Sequence, residues 1–413
     1  MKTIRVYERS KIYAGQRGKL TKDQYNALLK FNSSKGSKYF TPIYNGIKFN
    51  QYVGVISVGN LTIEILPKLD SIEDEKSELW HSFLIDLFRE CRILTPSAPT
   101  FASLKLKNNS ILELYFKLFL SEIEYLIRTG LFKKYINKAE NLNALKGKMD
   151  FNQHINKNLL HKECFYVNYK AYSYNHVVNQ ILSKAISIVS SLSDSPDIQD
   201  RVKSINLSFP EVDDLQVDES IFQKLEFNRK SEKYREALEI AKLLILNYSP
   251  DVQVGGNNVL ALLFDMEELF EEYTFRRLKR HSLNNENITI KRQVSTKFWE
   301  TRTIRPDIVL QIDGIRYVID TKWKSLQQAY PDVNDLRQMY VYNQYFDGDI
   351  SILLYPQAGS TSNLEGEFHI PQKLSGLIPE KDKCLIYFLP IINDGINRQA
   401  CQEMLLDLQK RTN

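Results

Sequence analysis

Residues 304–324 read IRPDIVLQIDGIRYVIDTKWK. Two near-alternating apolar segments, 304–312 and 315–323, flank the dipeptide Asp313-Gly314, a strong signal for a tight β-hairpin. Successive side chains on a strand point to opposite faces, so Asp320 and Lys322 share one face and Thr321 takes the other. The turn folds the Asp307 arm back beside them. Two carboxylates and one ammonium can thus meet at one end of the hairpin. Asp320 ends the apolar run Tyr317-Val318-Ile319, where a carboxylate is costly unless it is paired or metal-bound. A salt bridge of Asp307 or Asp320 with Lys322 on a surface hairpin would be the plainer use of the same residues. The chemistry that fits them is metal-dependent phosphodiester hydrolysis. Oxygen ligands from Asp307 and Asp320, with the Thr321 carbonyl as a further one, suit Mg2+, which retains waters and takes its other ligands from phosphate. Lys322 beside such a metal could orient or deprotonate water and stabilise developing charge.

The flanking segments extend this site. A helix is expected over about 332–346, where the spacing i, i+3, i+7 puts Asp335, Gln338 and Tyr342 on one face. Another helix, expected over about 259–281, carries Glu267, Glu268, Glu271 and Glu272; Glu271 is the candidate to face the metal, with Glu268 second. Overall charge is modest, +5, from 55 Lys and Arg against 50 Asp and Glu. Its placement is uneven. Between residues 276 and 305 nine basic residues face only Glu286 and Glu300. Arg292, Lys297, Arg302, Arg305 and, past the hairpin, Lys324 are the candidate contacts to a phosphate backbone, with Trp299 available for stacking or packing.

Working outward, strands are expected at 288–294, 349–355 and 383–389 and a last helix at 397–410. Helices and strands in this order predict a mixed central sheet flanked by helices. Residues 1–66 look β-rich, and helical periodicity begins at Ser77, with further helices at 111–128, 171–192 and 229–247. SPDVQVGGNN (249–258) is the expected main boundary. The expected organisation is a β-rich segment 1–70, a mainly helical region 71–250 and a domain over 257–413, an α/β (α+β) multidomain chain. Length, 413 residues, and an apolar fraction of 43% allow several ordinary cores and exclude a disordered tail protein or a membrane channel. Cys91, Cys164, Cys384 and Cys401 form no C-x-x-C pair, which argues against a zinc or redox motif. The N-terminal residues lack an apolar signal region, and the expected compartment is the cytoplasm.

The order of several motifs resembles the McrC family, the nuclease subunits of McrBC-type modification-dependent restriction systems. The resemblance rests on LFDMEELFEEY (263–273), RPDIVL (305–310), VIDTKWK (318–324) and RQMYVY (337–342), and, earlier in the chain, on GNLTIEILPKL (59–69), LKGKMDF (145–151) and YSYNHVVNQIL (172–182). It implies a C-terminal PD-(D/E)XK nuclease domain with Asp307, Asp320 and Lys322 in the catalytic positions. A Gln-x-x-x-Tyr pair such as Gln338 and Tyr342 recurs after D-x-K in the RecB-like branch of these nucleases. The resemblance also implies that residues 1–250 dock on a ring of McrB-like AAA+ GTPase subunits, and that the substrate is double-stranded DNA, methylated or unmethylated. The chain has no G-x-x-x-x-G-K-[ST] phosphate loop, so a motor would be another polypeptide. Trp323 stands where family members often have tyrosine. Lys146 and Lys148 are candidate basic contacts to the partner, and a solvated turn is the plainer reading of them. The other readings are a free-standing RecB-like nuclease, such as the CRISPR-associated kind, whose usual iron–sulfur cysteine clustering the four cysteines here lack, and a non-catalytic adaptor of a ring NTPase.

Overall fold

The computed structural model describes residues 2–15, 18–69, 77–93, 110–250, 257–283, 285–326, 330–357, 361–369, 383–392 and 395–412. Most of the 249–258 stretch falls outside them. Contacts divide the chain into two units. One comprises Met1–Lys2, Ser57–Thr62 and Pro96–Leu262, and the other Thr3–Ile56, Ile63–Thr95 and Leu263–Asn413. This grouping crosses the linear boundaries read from the sequence, because residues 3–56 and 63–95 cluster with the C-terminal segment.

In the second unit a six-stranded mixed sheet runs in the order Ile288–Arg292, Ile308–Ile312, Ile315–Thr321, Ile350–Pro356, Lys383–Leu389, Leu364–Glu367. The expected hairpin is present, with Ile308 opposite Ile319 and Ile312 opposite Ile315. Its turn places Asp313 at φ 49° and Gly314 at φ 91°, the left-handed pair that a two-residue turn needs and that Asp-Gly supplies with little strain. The next two neighbours are parallel, Ile315–Thr321 with Ile350–Pro356 and the latter with Lys383–Leu389. Parallel central strands must be covered on both faces, and their sequences, such as ISILLYP, are accordingly continuous apolar runs. Val318 packs with Met339, Tyr342 and Phe346 of the helix Val333–Tyr345 and its end. The neighbouring Tyr317 points its hydroxyl at the Leu408 carbonyl, in the terminal helix Ala400–Thr412. The α/β class is thus as expected.

Two local readings change. Residues 259–281 are not one helix: Val259–Asp265 is a strand, paired through Val259 and Leu260 with Ser249 and Tyr248, and the helix is Met266–Ser282. VLALLF is a short continuous apolar run, which periodicity alone assigns equally to a buried strand. Asp265 marks the switch, its side chain capping the Glu267 amide at 2.9 Å. Within the β-rich N-terminal segment lies a helix, Lys22–Ser34. Thr21 and Gln24 form a reciprocal capping box at its start, a sequence signature that announces it.

The first unit is mainly helical. Ile111–Arg128 pairs with Pro196–Ser208 and Arg235–Leu246, and Val177–Leu192 packs on the latter two. It also holds two nine-residue antiparallel strands, Lys134–Leu142 and Phe165–Ser173. The sequence reading began a helix at 171, where the second of these strands still runs.

Candidate active site

The hairpin register ends with Ile308 opposite Ile319, one residue short of Asp307 on one arm and of Asp320 on the other. The two carboxylates therefore meet at the open end of the hairpin, and the backbone ladder sets their proximity. Asp307 accepts two hydrogen bonds from Thr321, one from its amide and one from its hydroxyl, both at 2.7 Å. Both fall on Oδ2, leaving Oδ1 out of this clamp. Asp320 is 3% exposed. Its Oδ2 lies 2.7 Å from Lys322 Nζ, and its Oδ1 accepts from Gln338 Nε2 at 3.3 Å. Alternation along one strand brings Asp320 and Lys322 to the same side.

The helix Val333–Tyr345 supplies the opposite wall. Gln338 bridges the site, accepting from Lys322 at 3.3 Å and donating to the Tyr342 hydroxyl at 2.8 Å. Tyr342 in turn donates to the Arg305 carbonyl at 3.1 Å, tying the approach to Asp307 onto the helix. Asp335, one turn earlier, holds Lys324 at 2.6 Å, stands 4.0 Å from Lys322 and accepts from Tyr355. The face predicted from Asp335, Gln338 and Tyr342 thus does line the hairpin end.

Electrostatically, this is a site with too much negative charge for its burial. Desolvation, and then the field of Asp320, push Asp307 up to about 6. Asp320 is also raised, by burial, against the opposing pull of Lys322. Desolvation disfavours the Lys322 ammonium, but the facing carboxylates outweigh it and hold the lysine above its ordinary value. Lys322 therefore sits in the site as a cation. A second cation would relieve the residual repulsion between Asp307 and Asp320.

Glu271 is not within this pair. It accepts from Arg292 at 3.1 Å and from Gln293 at 2.9 Å, and burial followed by the field of Asp307 raises it. Glu268 lines a separate cavity of about 340 Å³ with Asp265, Glu272 and Arg292. No group of three or more His, Cys, Asp or Glu side chains arranged to hold a metal occurs among the described residues. Two carboxylates nevertheless fit Mg2+, which binds through one or two carboxylates and keeps its waters.

The expected phosphate-binding cations separate into two kinds. Arg292 is ion-paired with both Glu271 and Glu272, and Lys324 with Asp335. Lys297, Arg302 and Arg305 are exposed and have no ion-pair partner among the described residues. The wider basic window is less open than its composition suggested. Arg276 pairs with Glu272, and Arg277 and Arg280 both reach Glu90, a carboxylate the window's own sequence does not contain.

Beside Lys322, Trp323 is held by a residue that the sequence does not single out, Glu8. Trp323, 2% exposed, stacks against Phe83 and meets Phe270 edge-on. Its indole N–H donates to Glu8 Oε1 at 2.7 Å, which also accepts from the Lys68 amide. Glu8 and Trp323 are 315 residues apart, and no local pattern could link them. Burial pushes the Glu8 carboxyl up to about 7, against the lowering effect of the Trp323 and Lys68 donors. A carboxyl raised on folding binds its proton more tightly in the folded chain, so stability is full at low pH and falls as pH rises through about 7. Glu8→Gln keeps the acceptor for both donors and removes the ionisation. Thermal melting should therefore show the variant gaining on wild type between pH 5 and pH 8; a constant difference across that range would refute this role for Glu8.

With the geometry in place, comparisons with known proteins give a consistent answer. The family model described as "McrBC 5-methylcytosine restriction system component" matches residues 47–356. The chain belongs to this family. Among solved structures, it is similar to a chain in a half-complex from the tetradecameric assembly of Thermococcus gammatolerans McrB AAA+ hexamers with bound McrC. The TM-score is 0.71 at 19% identity, covering 98% of this chain and 100% of that one. A chain of the T. gammatolerans McrBC complex, from a cryo-EM structure, matches with a TM-score of 0.50 at 21% identity, covering 68% of this chain and 88% of that one. At such identities the likeness speaks for the fold. Comparison with curated protein sequences gave no match.

Proposed function

We propose that this chain is the nuclease subunit of a McrBC-type restriction complex, a Mg2+-dependent DNA endonuclease that docks on a McrB-like AAA+ GTPase ring and stimulates its GTP hydrolysis. The observation that carries the proposal is the Asp307–Asp320 pair at the open hairpin end, with Lys322 held as a cation 2.7 Å from Asp320. Its setting, a mixed sheet between helices, suits a PD-(D/E)XK nuclease fold. Family membership, and the likeness to a chain from an assembly of McrB hexamers with bound McrC, support the partner. No helix among the described residues is long and apolar enough to cross a membrane.

In this reading Asp307 and Asp320, with the Thr321 carbonyl, would hold Mg2+, which would supply Lewis acidity for phosphodiester hydrolysis. Thr321 fixes the Asp307 carboxylate through its two hydrogen bonds, so one oxygen stays oriented before substrate arrives. Lys322 balances charge at Asp320 and can place an ammonium proton at a phosphate oxygen or the attacking water. Gln338 fixes the positions of Lys322 and Tyr342 together. Lys297, Arg302 and Arg305 line the approach to Asp307 for the DNA backbone.

The test is reconstitution with the neighbouring gene product, GTP and Mg2+ on methylated and unmethylated plasmid. Cleavage that needs both GTP and the partner is expected, together with faster GTP hydrolysis when the chain is added. Cleavage without partner or GTP would instead favour a free-standing nuclease.

A further inference from the structure

The hairpin formed by Thr296–Trp299 and Arg302–Ile304 is a two-stranded sheet of its own, outside the six-stranded sheet. Its tip is unusual in composition. Trp299 is 63% exposed and Phe298 46% exposed, large apolar surfaces placed where water ordinarily meets polar turn residues. The two aromatics differ in their fixing. Phe298 meets Tyr345 edge-on, with ring centroids 5.3 Å apart, and so anchors the hairpin to the helix Val333–Tyr345. Trp299 lies directly opposite Arg302, after a register shift between Lys297 and Trp299. Such a bulge re-aims a side chain. Glu300, at φ 47°, makes the turn. The exposed charges around the indole are Lys297, Arg302 and, beyond the second strand, Arg305, with Glu300 the one acidic residue of the hairpin.

The position of this tip relative to the carboxylates is limited by the chain itself. From Arg302, the cross-strand partner of Trp299, to Asp307 is a run of five residues, at most about 17 Å at ~3.3 Å per residue. That is about five base steps of B-DNA at ~3.4 Å each. The run is tied down where Tyr342 bonds the Arg305 carbonyl.

We propose that Trp299 is a base-stacking wedge: when duplex DNA lies across Lys297, Arg302 and Arg305, the indole enters between bases within about five steps of the phosphate held at Asp307 and Asp320. The cations hold the backbone, and the tryptophan distorts the duplex beside the cleavage point. This rests on the nuclease reading above and adds to it a site on the DNA bases. An exposed aromatic facing a protein partner would lack a reason for the three cations around it, whereas a polyanion with flat apolar faces satisfies both.

The test uses the chain assembled with a McrB-like AAA+ partner and GTP, and a short duplex carrying 2-aminopurine at single positions, with Ca2+ in place of Mg2+. Wild type should brighten the probe at one or two positions, reporting unstacking. Trp299→Ala should abolish that signal and weaken binding roughly tenfold, and Trp299→Phe should restore part of both. Circular dichroism should be unchanged in either variant. Wild-type binding without any probe response, or a Trp299→Ala protein that binds and brightens as wild type does, would overturn the wedge alone. A wild-type chain with no affinity for the duplex would overturn the DNA reading with it.

Discussion

Replacing Lys322 with methionine is expected to destabilise the fold by about 3–5 kcal/mol at neutral pH and to abolish DNA cleavage. The cause is asymmetric. Asp320 is 3% exposed, and Lys322 Nζ, 2.7 Å away, is the cation against it. Removing one member of a buried pair leaves the other charge desolvated and uncompensated. Gln338 still donates to Asp320 Oδ1, but at 3.3 Å and without charge. Asp320 is already raised by burial, and losing the lysine raises it further, so the variant can recover by taking up a proton. The destabilisation should therefore shrink at acidic pH and grow as pH rises. The double variant Asp320→Asn/Lys322→Met removes both charges and should regain most of the stability while staying inactive. Denaturant unfolding of the three variants separates these terms. Equal stability of wild type and Lys322→Met at pH 8 would show that the pair carries no buried charge.

Asp320→Asn is expected to leave the chain folded and to lower cleavage roughly 10³-fold, the loss of about 4 kcal/mol of transition-state stabilisation. The side chain keeps its size and its acceptor for Gln338, and relief of carboxylate desolvation offsets the lost ion pair. What disappears is the negative charge opposite Asp307. If the chain docks on a McrB-like GTPase as proposed, stimulation of GTP hydrolysis should persist, because Asp320 is buried and offers no docking surface. Cleavage at the wild-type rate by Asp320→Asn would remove the hairpin end from the chemistry.

The sequence made the hairpin legible for physical reasons that are local. Asp313-Gly314 fixes the turn, the turn fixes the register, and the register brings Asp307 and Asp320 to the same end of the hairpin. The Gln338–Tyr342 wall was legible for the same reason, since helical spacing is a property of consecutive residues. Three features were hidden. Val259–Asp265 was read as helix because a short apolar run carries no period of its own. The real neighbours of Arg277 and Arg280 were hidden because Glu90 comes from a distant segment, and charge counting along the sequence cannot see neutralisation by residues far away in it. Glu8 beneath Trp323 was invisible for the same reason. The division of the chain into units was likewise set by long-range packing of residues 3–56 and 63–95, which composition does not encode.

Cutting of DNA by Asp307, Asp320 and Lys322 with a divalent metal, as proposed, is tested by plasmid cleavage with the wild-type chain, a McrB-like AAA+ partner and GTP, followed as Mg2+ is titrated in and then removed with chelator. Cleavage that rises with Mg2+ and stops on chelation is predicted. Cleavage that continues unchanged in chelator, or stimulated GTP hydrolysis with no cleavage at any Mg2+ concentration, would contradict it.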